Sequence, residues 1–255
     1  YMLGEDFTAI ETRLLEKTAH ILTPDILTSA LPAHGVVHAS PIEPGYLITK
    51  ESGMYYENDL LTQKLSAGSI SFYPACDTLL HKADVKYMVC DDILYQVDHT
   101  LSKTMIARTE TRMPARTVWL GLAVDDSLTD LENVSFYLDF PNLAESYEYL
   151  FLLPCTEWSV GGNPIRMEPG IYEKSRLPEE ATRAFFRSYD VMSVIDKEVM
   201  ELYNKHFLRV SQPVPLDEVD KEPLPKALSS CFGERVREKM QEKLVWVKIV
   251  FPAHF

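Results

Sequence analysis

Residues 8–50 read TAIETRLLEKTAHILTPDILTSALPAHGVVHASPIEPGYLITK, and the rest of the chain reads as being built around this stretch. Phe7, Ile10, Leu14 and Ile21 recur at helical spacing with Glu11, Arg13, Glu16 and Lys17 between them, which predicts an amphipathic helix. Pro24 ends or kinks it, and a second short turn is expected over 25–31, before Pro32. The period then changes from about 3.6 to 2: Val36, His38 and Ser40 alternate with Val37 and Ala39, as in a strand. A helix of this length is marginal alone, so its apolar face calls for a partner surface.

Composition sets the class. The chain has 255 residues, 46% of them apolar, enough for one large or two ordinary domains with a substantial core. Thirty-eight acidic against 25 basic residues give a formal charge of −13, which opposes nucleic acid and anionic lipid as partners. The basic residues Arg235, Arg237, Lys239 and Lys243 are interleaved with Glu234, Glu238 and Glu242, the pattern of a solvated helix face. No apolar run is long enough to span a bilayer, and the start YMLGEDFTAIE has no secretory pattern, so a cytosolic location without membrane insertion is expected. Cys76, Cys90, Cys155 and Cys231 lack paired spacing and suit buried thiols in a reducing compartment; on an exported chain Cys76 and Cys90 would be candidates for a bridge. The opening Tyr1-Met2 and the uncapped strand-like close LVWVKIVFP suggest a piece of something longer.

Between the ends, β signals dominate. Residues 69–88, then DILYQVDH and KTMIAR, predict strands separated by turns at Asp91-Asp92 and Ser102, whereas 62–68 reads as a polar loop. VWLGLAV (118–124) is continuously apolar, as in a strand buried on both faces, and a turn-rich connection leads to VSFYLDF (134–140). After the aromatic run SYEYLFLLP, the turn Gly161-Gly162-Asn163-Pro164 precedes strands in PIRMEPGIYE. From Pro178, Ala181, Phe185, Tyr189, Met192, Ile195, Val199, Leu202 and His206 step by three or four, predicting a long helix or a pair. Pro213, Pro215, Pro223 and Pro225 then predict an extended, exposed connector over 211–226. Leu228, Phe232, Val236 and Met240 restore helical spacing, weakened at Gly233, before the last strand.

The expected architecture is α+β: two β-rich, sandwich-like units flanked by an N-terminal amphipathic helix and a C-terminal helical segment. Its divisions are 1–32 (helical), 33–115 (first β-rich domain), 116–176 (second β-rich unit) and 177–255 (helical segment, connector, final strand).

Chemistry-bearing residues fall into no constellation. His34 and His38 have the spacing of a helical metal pair, but on a strand they would stand about 13 Å apart. Asp91-Asp92 and Asp125-Asp126 read as solvated turns rather than a carboxylate pair or Ca²⁺ loop. No nucleophile elbow, P-loop, dinucleotide fingerprint or zinc-protease motif occurs, so neither catalysis nor a cofactor or metal is expected. Trp119 and Trp246 lie in apolar strands and read as core, while Trp158, beside Glu157 and the Gly161-Gly162 turn, reads as exposed. The candidate interface set is therefore Phe7, Ile10, Leu14 and Ile21 on the helix, Trp158, and the connector prolines Pro213, Pro215, Pro223 and Pro225.

Four ordered segments carry a family resemblance: RLLEK…ILTPDILTSALPAHGVVHASP; the W-L-G-L strand with the L-x-x-L-x-N step and S-F-Y-L-D-F; V-M-E-L-Y-N-K-H-F-L; and W-V-K-I-V-F-P. Together they resemble the N-terminal half of TssF, the type VI secretion baseplate protein. The resemblance implies a non-catalytic, cytoplasmic subunit of a contractile injection machine, docked at the inner-membrane complex. Its partners would be TssG-like, TssK-like and TssE-like subunits, with self-association left open. The other class in view is a β-sandwich ligand- or carbohydrate-binding or adhesion module, with Trp158, Tyr147 and Tyr149 as its platform.

Overall fold

A computed structural model describes residues 14–15, 17–18, 33–56, 70–140, 147–171 and 199–253. The chain divides into two compact units, Tyr1–Gly35 and Val36–Phe255. In the first, Leu14, Leu15, Lys17 and Thr18 are helical, and the Thr18 hydroxyl donates to the Leu14 carbonyl at 2.7 Å, the back-bond such side chains make to the preceding turn. Phe7, Ile10, Ile21, the turn over 25–31, the loop 62–68 and most of the helix expected from Pro178 lie outside the described residues.

The second unit is built on a seven-stranded antiparallel sheet. Its strands are β5 (Ala83–Cys90), β6 (Ile93–Val97), β7 (Lys103–Arg108), β8 (Thr117–Val124), β10 (Glu157–Val160), β11 (Asn163–Ile165) and β14 (Val245–Val250), in the order β11-β10-β14-β8-β5-β6-β7. Two tight hairpins fix its register. Asp91 and Asp92, at φ of 50° and 64°, form a two-residue loop between Cys90 and Ile93; Gly161 and Gly162, at 57° and 87°, do the same between Val160 and Asn163. Positive φ at both loop positions matches the twist of the paired strands, which is why Asp and Gly stand there.

A three-stranded sheet, β12 (Met167–Pro169), β13 (Phe207–Val210) and β9 (Ser135–Tyr137), ordered β12-β13-β9, shares a core with one face of the large sheet. Leu208 and Val210 meet Trp158, Val160, Val245, Val247 and Ile249 there. On the other face Leu244 and Trp246 join Val89, Leu94, Leu228, Phe232 and Met240, the last three supplied by the short helices Lys226–Ser229 and Glu234–Lys239 and their flanks. The helical spacing of 228, 232, 236 and 240 thus survives as two helices, with Gly233 as the N-cap of the second. The Glu110 carboxylate occupies the space a Gly233 side chain would need, adding a negative charge beside that helix N-terminus.

The chain is α+β and β-rich, as its patterning implies. The divisions at 115/116 and 176/177 are corrected, because the large sheet takes strands from both sides of each. β14, from the far end of the chain, lies between β10 and β8 and joins the two expected β units into one sheet. The strand expected over 36–40 is absent, and those residues are exposed and irregular. The aromatic run after 146 forms a helix, Tyr147–Leu150, and a 3-10 turn, Leu153–Cys155.

Two short ladders precede the large sheet. β1 (Gly45–Ile48) pairs with β4 (Thr78–His81), and β2 (Met54–Tyr56) pairs with β3 (Ile70–Phe72), both antiparallel.

Candidate interaction surfaces

The connector 211–226 is a strap rather than a free linker. In the run Pro213-Val214-Pro215-Leu216 the prolines are exposed and Val214 and Leu216 are buried. Proline has no N–H, so it fits the positions that need no donor, and the residues between make the bonds. Val214 N–H donates to Asp130 Oδ1 at 2.9 Å, and Leu216 N–H to the Thr129 carbonyl at 2.8 Å. Further on, Glu222 and Leu244 exchange two backbone bonds of 3.1 Å, and the Trp246 indole donates to the Glu222 carbonyl at 3.0 Å. Lys221 Nζ lies 3.0 Å from Asp126 Oδ1. Pro223 and Pro225 are half-buried around the buried Leu224, so of the four prolines Pro213 and Pro215 are the exposed pair.

Trp158 is corrected outright: it is 2% exposed. Strand alternation turns Trp158 and Val160 inward while Glu157 faces out, so a polar sequence neighbour was no guide to its direction. Its indole donates to the Thr156 hydroxyl at 2.7 Å and its ring lies 5.1 Å from that of Phe136. It is an internal anchor and offers no stacking platform. Trp246 is buried as expected, and Trp119 is half-buried against the same core, beneath Lys248 Nζ, 5.7 Å from its centroid. Leu14 is 68% exposed.

The ionisable groups mostly serve the frame. The Asp92 carboxylate accepts the Met113 N–H at 2.6 Å, so half of the expected solvated turn is a part-buried tie. Asp98 and Asp125 are each held below the usual carboxylate range, first by a hydroxyl (Thr100 and Ser127 respectively), with backbone N–H groups of the same turns adding to it. Cys90, Cys155 and Cys231 form no disulfide; Cys155 is exposed rather than buried, Cys76, Cys90 and Cys231 are half-buried, and burial pushes the Cys90 thiol up. Burial likewise lowers His81, at the foot of β4. Among the described residues no group of three or more His, Cys, Asp or Glu side chains is placed to hold a metal ion.

Exposed apolar residues concentrate where sequence reading did not look. Tyr46, Leu47 and Leu79 on the β1–β4 ladder are more than half exposed, as are Tyr55 and Tyr73 on and beside β2–β3, and Phe72 is 37% exposed. Leu47 and Leu79 pair directly, while Tyr46 points to the opposite face, so both faces of the ribbon carry exposed apolar groups. Ile42, just before it, is 93% exposed. The missed signal was the shortness of these strands: a two-stranded ribbon buries little by itself.

By contrast, the edges of the large sheet are blunted against pairing. β7 carries Lys103 and Arg108 at its ends and a register shift against β6 in between; β11 is three residues long and contains Pro164. No helix among the described residues is long and apolar enough to cross a membrane. No protein-family model, curated protein or solved structure matches the chain.

Proposed function

We propose that this chain is a non-catalytic structural subunit of a contractile-injection baseplate, a TssF-like wedge component that works in the cytoplasm through protein–protein interfaces. The observation that carries the reading is the exposed apolar ribbon of β1–β4 and β2–β3, standing beside a frame whose own sheet edges are protected. Exposed apolar surface at that density marks a docking element. The sequence resemblance supplies the class of partner: TssG-like, TssK-like and TssE-like subunits. In such a machine the chain acts mechanically, holding the extended sheath through large interfaces that rearrange on firing.

Co-expression with TssG-like and TssK-like chains, followed by size-exclusion chromatography with light scattering, tests this. Co-elution at a fixed stoichiometry is expected, and replacing Tyr46, Leu47 and Leu79 with Ser should remove it. A monomer indifferent to both partners overturns the proposal.

A further inference from the structure

The two short ladders share one register. Each step forward from Gly45 is matched by one step back from His81, through Ile48 with Thr78, and the same count holds at Met54 with Phe72 and Tyr56 with Ile70. The interruption therefore removes equal lengths, Thr49–Gly53 on one side and Tyr73–Asp77 on the other. At the near end the Lys82 N–H donates to the Pro44 carbonyl at 3.0 Å, extending the count by one pair toward the frame. The Asp125 N–H then donates to the Lys82 carbonyl at 3.0 Å, rooting the ladder beside β5 and β8.

We propose that residues 45–56 and 70–81 are a single two-stranded arm with a joint at Thr49–Gly53 and Tyr73–Asp77, and that the Asp77 carboxylate is the latch of that joint. Two unrelated ribbons would have no reason to keep one register, because every unequal insertion changes it. Inside the joint one strand bonds within itself. The Ser52 N–H donates to the Thr49 carbonyl at 2.9 Å and the Thr49 N–H to Ser52 Oγ at 3.2 Å, curling one strand into a turn. On the other strand Pro74, in register with Ser52, has no N–H to give to a ladder. The Lys50 N–H crosses the joint to Asp77 Oδ1 at 2.8 Å. That bond is exposed, so water competes for both of its partners and opening it costs little. The distal ladder, with Tyr55 and Phe72, then swings as a unit about a fixed root. The inference concerns motion within this chain and holds whether or not the baseplate reading does.

Pulsed electron paramagnetic resonance on the full chain tests it, with nitroxides on genetically encoded ketone side chains so that the four cysteines remain. Labels at Leu79 and Thr104 span root and frame; labels at Ser71 and Thr104 span distal ladder and frame. A narrow distance distribution is expected for the first pair and one at least twice as wide for the second. Asp77→Ala should widen the second further, while Asp77→Asn, which keeps the accepting oxygen, should not. Labels on the directly paired Tyr55 and Ser71 should show strong dipolar broadening in every case. Equal widths for the first two pairs overturn the joint, an unmoved Asp77→Ala distribution overturns the latch, and lost broadening between 55 and 71 overturns the single arm.

Discussion

β14 and β1 are both short, mostly apolar strands, VWVKIV and GYLI, and they come to rest in opposite surroundings. In β14 Val245, Val247 and Ile249 face one core and Trp246 the other, all of them 4% exposed or less. In β1 Tyr46 and Leu47 face opposite ways and both remain more than half exposed. The difference lies in what each strand has beside it. β14 has a strand on each side and a layer on each face, whereas β1 has one partner strand and, among the described residues, joins neither core cluster. Apolar content sets a demand for cover; topology decides whether the chain meets it.

The sharpest way to break this comparison is to attack the cover on the frame. Phe232 is 1% exposed beneath the large sheet, so Phe232→Ala is expected to lower unfolding stability by about 3–5 kcal/mol through lost burial and the cavity left behind. A urea titration followed by tryptophan fluorescence would read it as a lowered midpoint. An unchanged midpoint would mean that the helical layer does not close the core of the sheet.

Much of that frame was legible beforehand. The hairpin turns at Asp91-Asp92 and Gly161-Gly162, the strands of 83–124 and the final strand follow from short apolar runs and turn residues, which are local signals. What could not be read was order: nothing in VWVKIV says that it lies between β10 and β8, because pairing partners distant in sequence leave no local trace. Trp158 failed for a related reason, since its environment was judged from chain neighbours that point the other way. The connector prolines correctly forbade regular structure, but Val214, Leu216 and Leu224 between them hold it down, and the proline spacing concealed that alternation. For the arm, an apolar ribbon that is buried and one that leaves Tyr46, Leu47 and Leu79 exposed read alike.

A smaller effect sharpens the same contrast at the centre of the sheet. Gly121 in β8 faces Trp246 and Leu244, and a Cβ there would lie 3.1 Å from Leu244 Cδ1 and from two Trp246 ring carbons. Gly121→Ala is therefore expected to cost about 1–3 kcal/mol by overpacking, even though alanine is the better strand former. The crowding comes from the neighbouring chain segment, whose Leu244 and Trp246 are themselves held in the core with Leu228, Phe232 and Met240, so they cannot yield freely. If the variant were neutral or stabilising by the same urea titration, the packing between β8 and β14 would be looser than the geometry implies.

The smallest effect belongs to the arm, and its smallness is the point. Replacing Tyr46, Leu47 and Leu79 with Ser removes three large apolar side chains, a change that inside the frame would abolish folding. On the arm each is already more than half in water, so little burial is lost. Each substitution should stay within about 0.5 kcal/mol, the range of ordinary surface changes. Stability alone therefore separates two accounts of the ribbon. If the triple variant keeps the urea midpoint of the parent chain, the arm's apolar residues contribute nothing to the isolated fold and their use lies in contact with another molecule. If the midpoint falls as far as it does for Phe232→Ala, the ribbon is packed in solution, and the arm belongs with the frame rather than with a partner.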